Sequence, residues 1–377
     1  MITNQRKRGN SMDEQLYWLW LSAGLGAGAH GMQALLAAYG ADAEAIYASR
    51  MDLLRQGMVT PSQQRILATT TPDSLKARLL QHEEKGVTML CYTDVRYPSL
   101  LKQIDTPPPV LYATGDVRYL QTEVPVGMIG TRRPSAYGIE AAKLVADGLA
   151  TAGVTLVSGL ADGLDSEAHK AAVRGNAPTI AVLGTAIDVT FPARNTTLRG
   201  LVEQRGVCIS ELPIGTAGQG AYFLLRNRLI AGLSRGLCVI EARKRSGTMS
   251  TVRFALDYGR DVFAVPGSIF SPLSEGTNSL IADGARPIAS AADVLAEYLP
   301  AAEITPQDAL VVAQQELLPL SDAAQKLSKV LSAQPQPIAE LCAKAQLPFA
   351  AAMAALTELE LAGLCIQQAG RQFLKNF

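Results

Sequence analysis

An apolar run over 124–129 passes into Gly130-Thr131-Arg132-Arg133-Pro134-Ser135 and then into a helix-forming stretch. A strand, a glycine-bearing turn and a helix start together make an anion site. Unpaired backbone N–H groups and the positive end of the helix dipole converge where the turn opens. Two arginines stand in the turn itself, and guanidinium groups grip phosphate bidentately. The chemistry on offer is phosphate binding.

Further short loops carry the same residue types. Ser158-Gly159-Leu160-Ala161-Asp162-Gly163 precedes a helix containing His169 and Lys170, and Gly184-Thr185-Ala186 follows another apolar run. Arg243-Lys244-Arg245-Ser246-Gly247-Thr248 makes a second helix start rich in amides and hydroxyls, and Pro266-Gly267-Ser268 and Ser274-Glu275-Gly276-Thr277-Asn278 lie further on. Arg226-Asn227-Arg228 stands ahead of a strand. Between residues 121 and 290 there are fourteen arginines against three lysines, with Tyr137, Phe191, Tyr222, Phe223 and Tyr258 among them. Arginines interleaved with rings suit a single nucleic-acid strand, whose exposed bases stack on aromatic faces.

What is missing narrows the ligand. There is no G-x-x-x-x-G-K-[ST], and the G-x-G-x-x-G at 26–31 lies between helices rather than after a strand, so neither a Walker site nor a dinucleotide cofactor is indicated. Three histidines (His30, His82, His169) without ligand spacing indicate no metal. The G-x-S-x-G at 232–236 closes a helix and precedes a strand, the reverse of a nucleophile elbow. Asp162, Asp165 and Glu167 read most simply as complements to a helix dipole. A phosphate pocket with neither catalytic group nor cofactor describes a binder.

These loops need a scaffold that gathers them. From 124 to about 289 strands alternate with helices. Strands are expected at 124–129, 155–158, 179–183, 207–210, 237–241 and 261–265, with helices near 137–152, 166–175, 195–205, 223–233 and 248–259. Such alternation gives a mostly parallel sheet covered on both faces, with ligands at the carboxyl ends of its strands. Ahead of it, residues 13–75 read as short helices at 14–21, 31–39, 42–48, 51–57 and 61–68. A linking helix follows at 76–82, with strands at 87–92 and 110–112. The Gly-Leu-Gly-Ala-Gly turn between the first two helices suits a helical hairpin, a form used both structurally and on nucleic-acid backbones. Residues 1–12 read as a disordered tail, 76–299 as the α/β domain, 300–320 as an Ala/Pro/Gln linker, and 321–377 as three helices plus a β-hairpin, a winged-helix pattern.

Bulk composition bounds the rest. The 377 residues allow two or three domains, and 34 basic against 34 acidic side chains leave no net charge, so basic character has to be local. Cys91, Cys208, Cys238, Cys342 and Cys365 are scattered without CxxC spacing, which fits a reduced, cytoplasmic protein. The apolar stretch over 16–40 is broken by Gly24, Gly26, His30, Gly31 and Gln33, so it reads as packed helices rather than a membrane span.

Seven strings from 129 to 268 resemble the DprA/Smf family of DNA-processing proteins: IGTRRPSAYG, VSGLADGLDSEAH, TIAVLGTAIDVTFPARN, ISELPIG, RNRLIAGLS, VIEARKRSGTMST and GRDVFAVPGS. The resemblance spans about 90–290. It implies an extended Rossmann-like fold between a helical N-terminal domain of sterile-alpha-motif type and a C-terminal winged helix. It further implies a cytoplasmic homodimer that binds single-stranded DNA through its backbone, works beside single-strand binding protein and loads RecA recombinase during natural transformation. On that reading Gly130 and Arg132 take a phosphate, with Thr131, Ser158 and Gly159 in the same loops. Lys170, Arg226, Arg228 and Ser246-Gly247-Thr248 line the pocket, and Phe223 approaches a base.

Some positions depart from the family pattern. Leu224-Leu225 stand where proline and a basic residue are common, and Asp162 where a basic or neutral residue is usual, so one cationic contact is absent unless Arg243, Lys244 and Arg245 compensate. The expected recognition helix of the winged helix, 348–360, has two glutamates and no Lys or Arg, which suits protein contact better than duplex DNA. The rival class is an enzyme, a Rossmann-like phosphoribohydrolase of the Lonely Guy group. Its glycine-rich helix start resembles 245–253, but no catalytic Glu follows here. A sequence-specific transcription factor is a third reading, resting on the winged helix alone.

Overall fold

The structure is a computed structural model that describes residues 11–298, 320–332, 334–368 and 372–375. The tail expected at 1–12 therefore lies outside the described residues up to residue 10, and the linker expected at 300–320 up to residue 319.

Helices α1 (Met12–Leu25), α2 (Met32–Tyr39), α3 (Ala43–Ala48), α4 (Pro61–Thr69) and α5 (Lys76–Glu84) come first. The helix expected at 51–57 is a run of turns. The Gln64 side chain is the physical reason: its amide oxygen accepts from Leu54 N–H and its NH2 donates to the Arg50 carbonyl, taking the two groups an α-helix would have paired with each other. Trp18, Trp20, Met32 and Ile46 pack in one apolar cluster with Tyr112, Leu183 and Cys208 of the sheet region. The helical segment thus shares its core with the sheet rather than closing on itself.

The sheet has nine strands in the order β1-β2-β6-β5-β4-β3-β7-β8-β9. Its ranges are β1 Thr88–Cys91, β2 Val110–Gly115, β3 Pro125–Ile129, β4 Thr155–Ser158, β5 Thr179–Val182, β6 Gly206–Ser210, β7 Gly236–Val239, β8 Asp261–Ala264 and β9 Arg286–Pro287. From β6 to β9 all pairings are parallel; the β1–β2 and β2–β6 pairings are antiparallel, so β2 alone runs against the other strands. The central strands are buried along their whole length, as strands covered on both faces must be. The crossover helices are α6 (Ala136–Thr151), α7 (Leu164–Arg174), α8 (Thr196–Arg205), α9 (Gly220–Leu233) and α10 (Thr248–Asp257). Strand order reverses direction at β3, with β4 on one side and β7 on the other, so the β3 and β7 carboxyl ends open the crevice where such folds bind ligands.

Two further helices follow, α11 (Glu275–Ala282) and α12 (Ala291–Tyr298). Residues 274–278, expected as a glycine loop, instead begin α11. A Cβ at Gly276 would meet the Ala242 carbonyl at 2.6 Å, so the glycine serves close packing. The C-terminal unit comprises α13 (Asp322–Val330), α14 (Ile338–Ala345) and α15 (Phe349–Leu361). Its three-stranded sheet has the order β10 (Gln336–Pro337), β12 (Gln372–Lys375), β11 (Cys365–Gln368). Its buried Leu327, Leu341, Leu356 and Phe373 form a separate core.

Candidate nucleic-acid interface

The β3 and β7 carboxyl ends open into a cavity of about 680 Å³. The 130–133 turn forms one wall and Ser246, Gly247 and Thr248 another, with Phe223 and Arg226 of α9 between them. Asp165 of α7 and Arg243 also line it. The turn after β3 is held rigidly: Thr131 N–H donates to the Glu241 carbonyl (2.8 Å), and the Thr131 carbonyl accepts from Leu164 N–H at the start of α7 (3.3 Å). Gly163, just before it, has φ +76°, and a Cβ there would meet the Thr131 carbonyl at 2.4 Å. Only glycine lets the α7 start approach the turn this closely.

The two helix N-termini at this edge differ. That of α6 is already occupied by an anion. Glu241, buried at the end of β7, accepts from Ser135 N–H (3.0 Å) and the Ser135 hydroxyl (2.5 Å), while Ser135 caps Gly138 N–H (3.1 Å). The dipole expected to face a ligand behind the arginine turn is therefore satisfied internally. The α10 N-terminus is the open one: Gly247 supplies no side-chain cap, and the buried Ser246 hydroxyl has no partner among the described residues. Thr248 stays close to the first turn through its hydroxyl, which donates to the Gly130 carbonyl (3.2 Å).

Arg226 forms the floor. It is buried, and its Nη1 donates to the Gly159 carbonyl (2.6 Å) and to the Val182 carbonyl. Its Nε is left without a partner. Burial, opposed by Asp165 and assisted by Arg132, pulls its pKa down to about 10, so it remains a cation at neutral pH. The same burial raises the Asp165 carboxyl above its ordinary range, against the pull of Arg226. Arg132 is exposed, with its guanidinium 5.8 Å from the Phe223 ring centroid.

Of the twelve residues singled out from sequence, Gly130, Thr131, Arg132, Phe223 and Arg226 are brought together here with Ser246, Gly247 and Thr248. Gly159 lies behind the wall, where a Cβ would meet Arg226 Nη1 at 2.4 Å. Three residues are placed elsewhere. Ser158 is fully buried, donating to the Met128 carbonyl (2.6 Å) between strands. Arg228, one side of α9 away from Arg226, is buried against Glu211. Lys170 points away from the cavity: its Nζ lies 3.1 Å from Glu167 and 3.3 Å from Glu360 of α15. Burial opposes its charge, but the two carboxylates outweigh that and leave its pKa raised. Asp162 does not line the cavity and pairs with Arg194, so the weakening expected from its charge does not arise there. Sequence reasoning missed Asp165 and Asn227 as lining residues and Glu241 as the α6 cap. An acid at the tip of a buried strand was the available signal for the last.

The profile of the DNA recombination-mediator protein A family matches residues 88–299, and that of the DprA winged helix domain matches 311–371. Protein Smf of Synechocystis is 34% identical over 328 residues, 79% of this chain and 82% of the relative. The chain belongs to the DprA/Smf family. The family member of Escherichia coli, Protein Smf, is 33% identical over 82% of this chain and 83% of its own length. Among solved structures, DprA of Streptococcus pneumoniae superposes with a TM-score of 0.62 at 32% identity, covering 77% of this chain and 99% of that one. DprA of Helicobacter pylori, described for its single-stranded DNA binding mode, gives 0.52 at 31% identity, covering 56% and 97%. The mostly parallel α/β sheet and the C-terminal winged helix expected from sequence are those of this family. No helix among the described residues is long and apolar enough to cross a membrane.

Proposed function

We propose that the cavity at the β3 and β7 ends binds backbone phosphates of single-stranded DNA without sequence preference. On this reading the chain protects incoming DNA and helps load RecA recombinase during natural transformation. It acts as a cytoplasmic homodimer beside single-strand binding protein, as a binder rather than an enzyme. One observation carries the reading: the uncapped α10 N-terminus and the unpartnered Ser246 hydroxyl face the same space as Arg132 and the buried Arg226. The Ser246 hydroxyl and Arg226 Nε are donors without acceptors among the described residues, and a phosphate supplies acceptors. Phe223 beside Arg132 offers a ring to a base, which favours a polynucleotide over inorganic phosphate. The Helicobacter pylori relative is described as binding single-stranded DNA, in line with this.

Arg132→Ala tests it. Loss of one charge-assisted phosphate contact from an exposed side chain should cost about 1–2 kcal/mol of single-strand affinity. The salt dependence should become shallower by about one contact, with base preference unchanged. Unchanged affinity at low salt removes the role. Release of free base from nucleoside monophosphates would instead favour a phosphoribohydrolase.

A further inference from the structure

Two aromatic side chains outside the phosphate cavity are left uncovered on either side of it. Phe191, in the loop after β5, is 53% exposed, and its ring lies 5.2 Å from that of Phe223, which lines the cavity. Phe270, in the loop after β8, is 90% exposed, next to Ile269 at 81%.

The Phe270 tip is held by hydrogen bonds. Phe270 N–H donates to the Ser268 hydroxyl (3.2 Å), and Ser271 N–H to the Ser268 carbonyl (3.0 Å). The loop is pinned beside the cavity where Ala242 N–H donates to the Leu273 carbonyl (2.8 Å), Leu273 itself being a lining residue. The exposed Arg243-Lys244-Arg245 run ends the adjacent strand. Water-facing aromatic rings held in place beside cations cost the free protein solvation and gain it nothing.

Resting on the single-strand reading above, we propose that Phe191 and Phe270 are base-stacking platforms that flank the phosphate cavity and set the path of the strand across the sheet edge. Along β5-β4-β3-β7-β8 there are four inter-strand steps. The phosphate site at the β3 and β7 ends lies between β5 and β8 in the sheet order. A strand gripped at its backbone in the middle has bases free on both sides, and each platform takes one. Sequence tolerance follows, because every base has a π-face.

The test uses the full chain, fluorescence anisotropy, a dT 20-mer and a strand of equal length whose central positions are abasic. Phe191→Leu and Phe270→Leu keep apolar volume and remove the ring. Each should weaken dT binding roughly five- to hundredfold, leave abasic-strand binding at the wild-type level, and combine additively. Trp at either position should restore binding. If both Leu variants bind dT as the wild type does while Arg132→Ala weakens binding to both strands, the platforms are wrong and the phosphate reading stands. If Arg132→Ala binds both strands normally, the phosphate reading itself fails. If Phe270→Leu alters the sedimentation of free protein and not DNA affinity, the tip is a contact between copies and the proposal is overturned.

Discussion

Arg228 has the residue type, the neighbours and the helix of a phosphate contact, yet it is built as a core ion. Its Nη2 donates to Glu211, while Nε and Nη1 have no partner among the described residues. The guanidinium therefore rests on one carboxylate. That carboxylate also accepts Gly28 N–H (3.2 Å) from the hairpin turn between α1 and α2, joining the helical segment to the sheet. Glu211→Leu strands a buried cation, costing about 3–5 kcal/mol, with about 1 kcal/mol more for the orphaned amide. Arg228→Met should cost less, because the carboxylate left behind keeps the amide and can take up a proton. The double variant removes both charges and should recover about 2–3 kcal/mol relative to the sum of the single losses. Urea unfolding followed by two probes measures all four corners of this cycle. Single-strand affinity of the folded variants, measured in the cold, should match wild type. An Arg228→Met protein with full stability and tenfold weaker DNA binding would refute the assignment and return Arg228 to the interface.

Three other outcomes are expected. Lys170→Met removes the cation shared by Glu167 and Glu360, so docking of α15 on α7 should weaken by about 1–3 kcal/mol; faster amide exchange over 349–361 with unchanged single-strand affinity checks this. His169 donates from Nδ1 to Thr179 Oγ1 (2.8 Å), since that hydroxyl itself donates to Leu156, and leaves Nε2 buried without a partner. Burial, with Arg226 adding, depresses its pKa to about 3, so between pH 6.5 and 3 the unfolded chain binds the extra proton. Stability should therefore be full above pH 6.5 and fall as pH drops towards 3, by up to about 4–5 kcal/mol from this group; His169→Gln should flatten that slope in acid unfolding curves. Leu225→Arg should bring no gain in single-strand affinity and a lower melting temperature. Leu225 is half-buried, its Cδ2 3.4 Å from where a Cβ on Gly28 would be, so the substitution gives up apolar packing against the α1–α2 turn.

Strand β2 runs three residues past the expected 110–112 and the two-residue β9 was not legible, whereas β3 to β8 were legible to within a residue or two because each is a short apolar run, a local signal. The anion turn was legible for the same reason. The sorting of cations was not. Lys170 and Arg228 are both on helices that start at the ligand edge, but Lys170 is claimed by Glu360, 190 residues away, and Arg228 by Glu211, 17 residues away. No spacing rule reaches a partner that only the packing of α15 or the end of β6 delivers. The same limit explains Glu241: its role depends on β7 lying beside β3, a neighbour relation fixed by strand order rather than by anything near residue 241.

The contrast between α6 and α10 locates the ligand more sharply than the arginines do. Both helices begin at carboxyl ends of adjacent strands, and both present a positive terminus. An internal carboxylate fills one through two hydrogen bonds and leaves the other with an unpartnered hydroxyl and no cap. A helix start that needs only stability takes Asp, Asn, Ser or Thr at its cap, and replacing these costs about 1 kcal/mol. Gly247 at the α10 cap carries no capping side chain, at a cost of roughly a few tenths of a kcal/mol, and a Cβ there would meet nothing closer than 4.0 Å, so steric space does not demand the glycine. Met249 and Ser250 N–H close back on the Ser246 (3.2 Å) and Gly247 (3.1 Å) carbonyls, so the donor left for an external acceptor at this helix start is the Ser246 hydroxyl. Arg132, exposed beside Phe223, and Arg226, buried and hydrogen-bonded to two carbonyls, line the same cavity. On the proposed reading the 130–133 turn supplies a cation and a wall, and the positive helix end facing the phosphate belongs to α10.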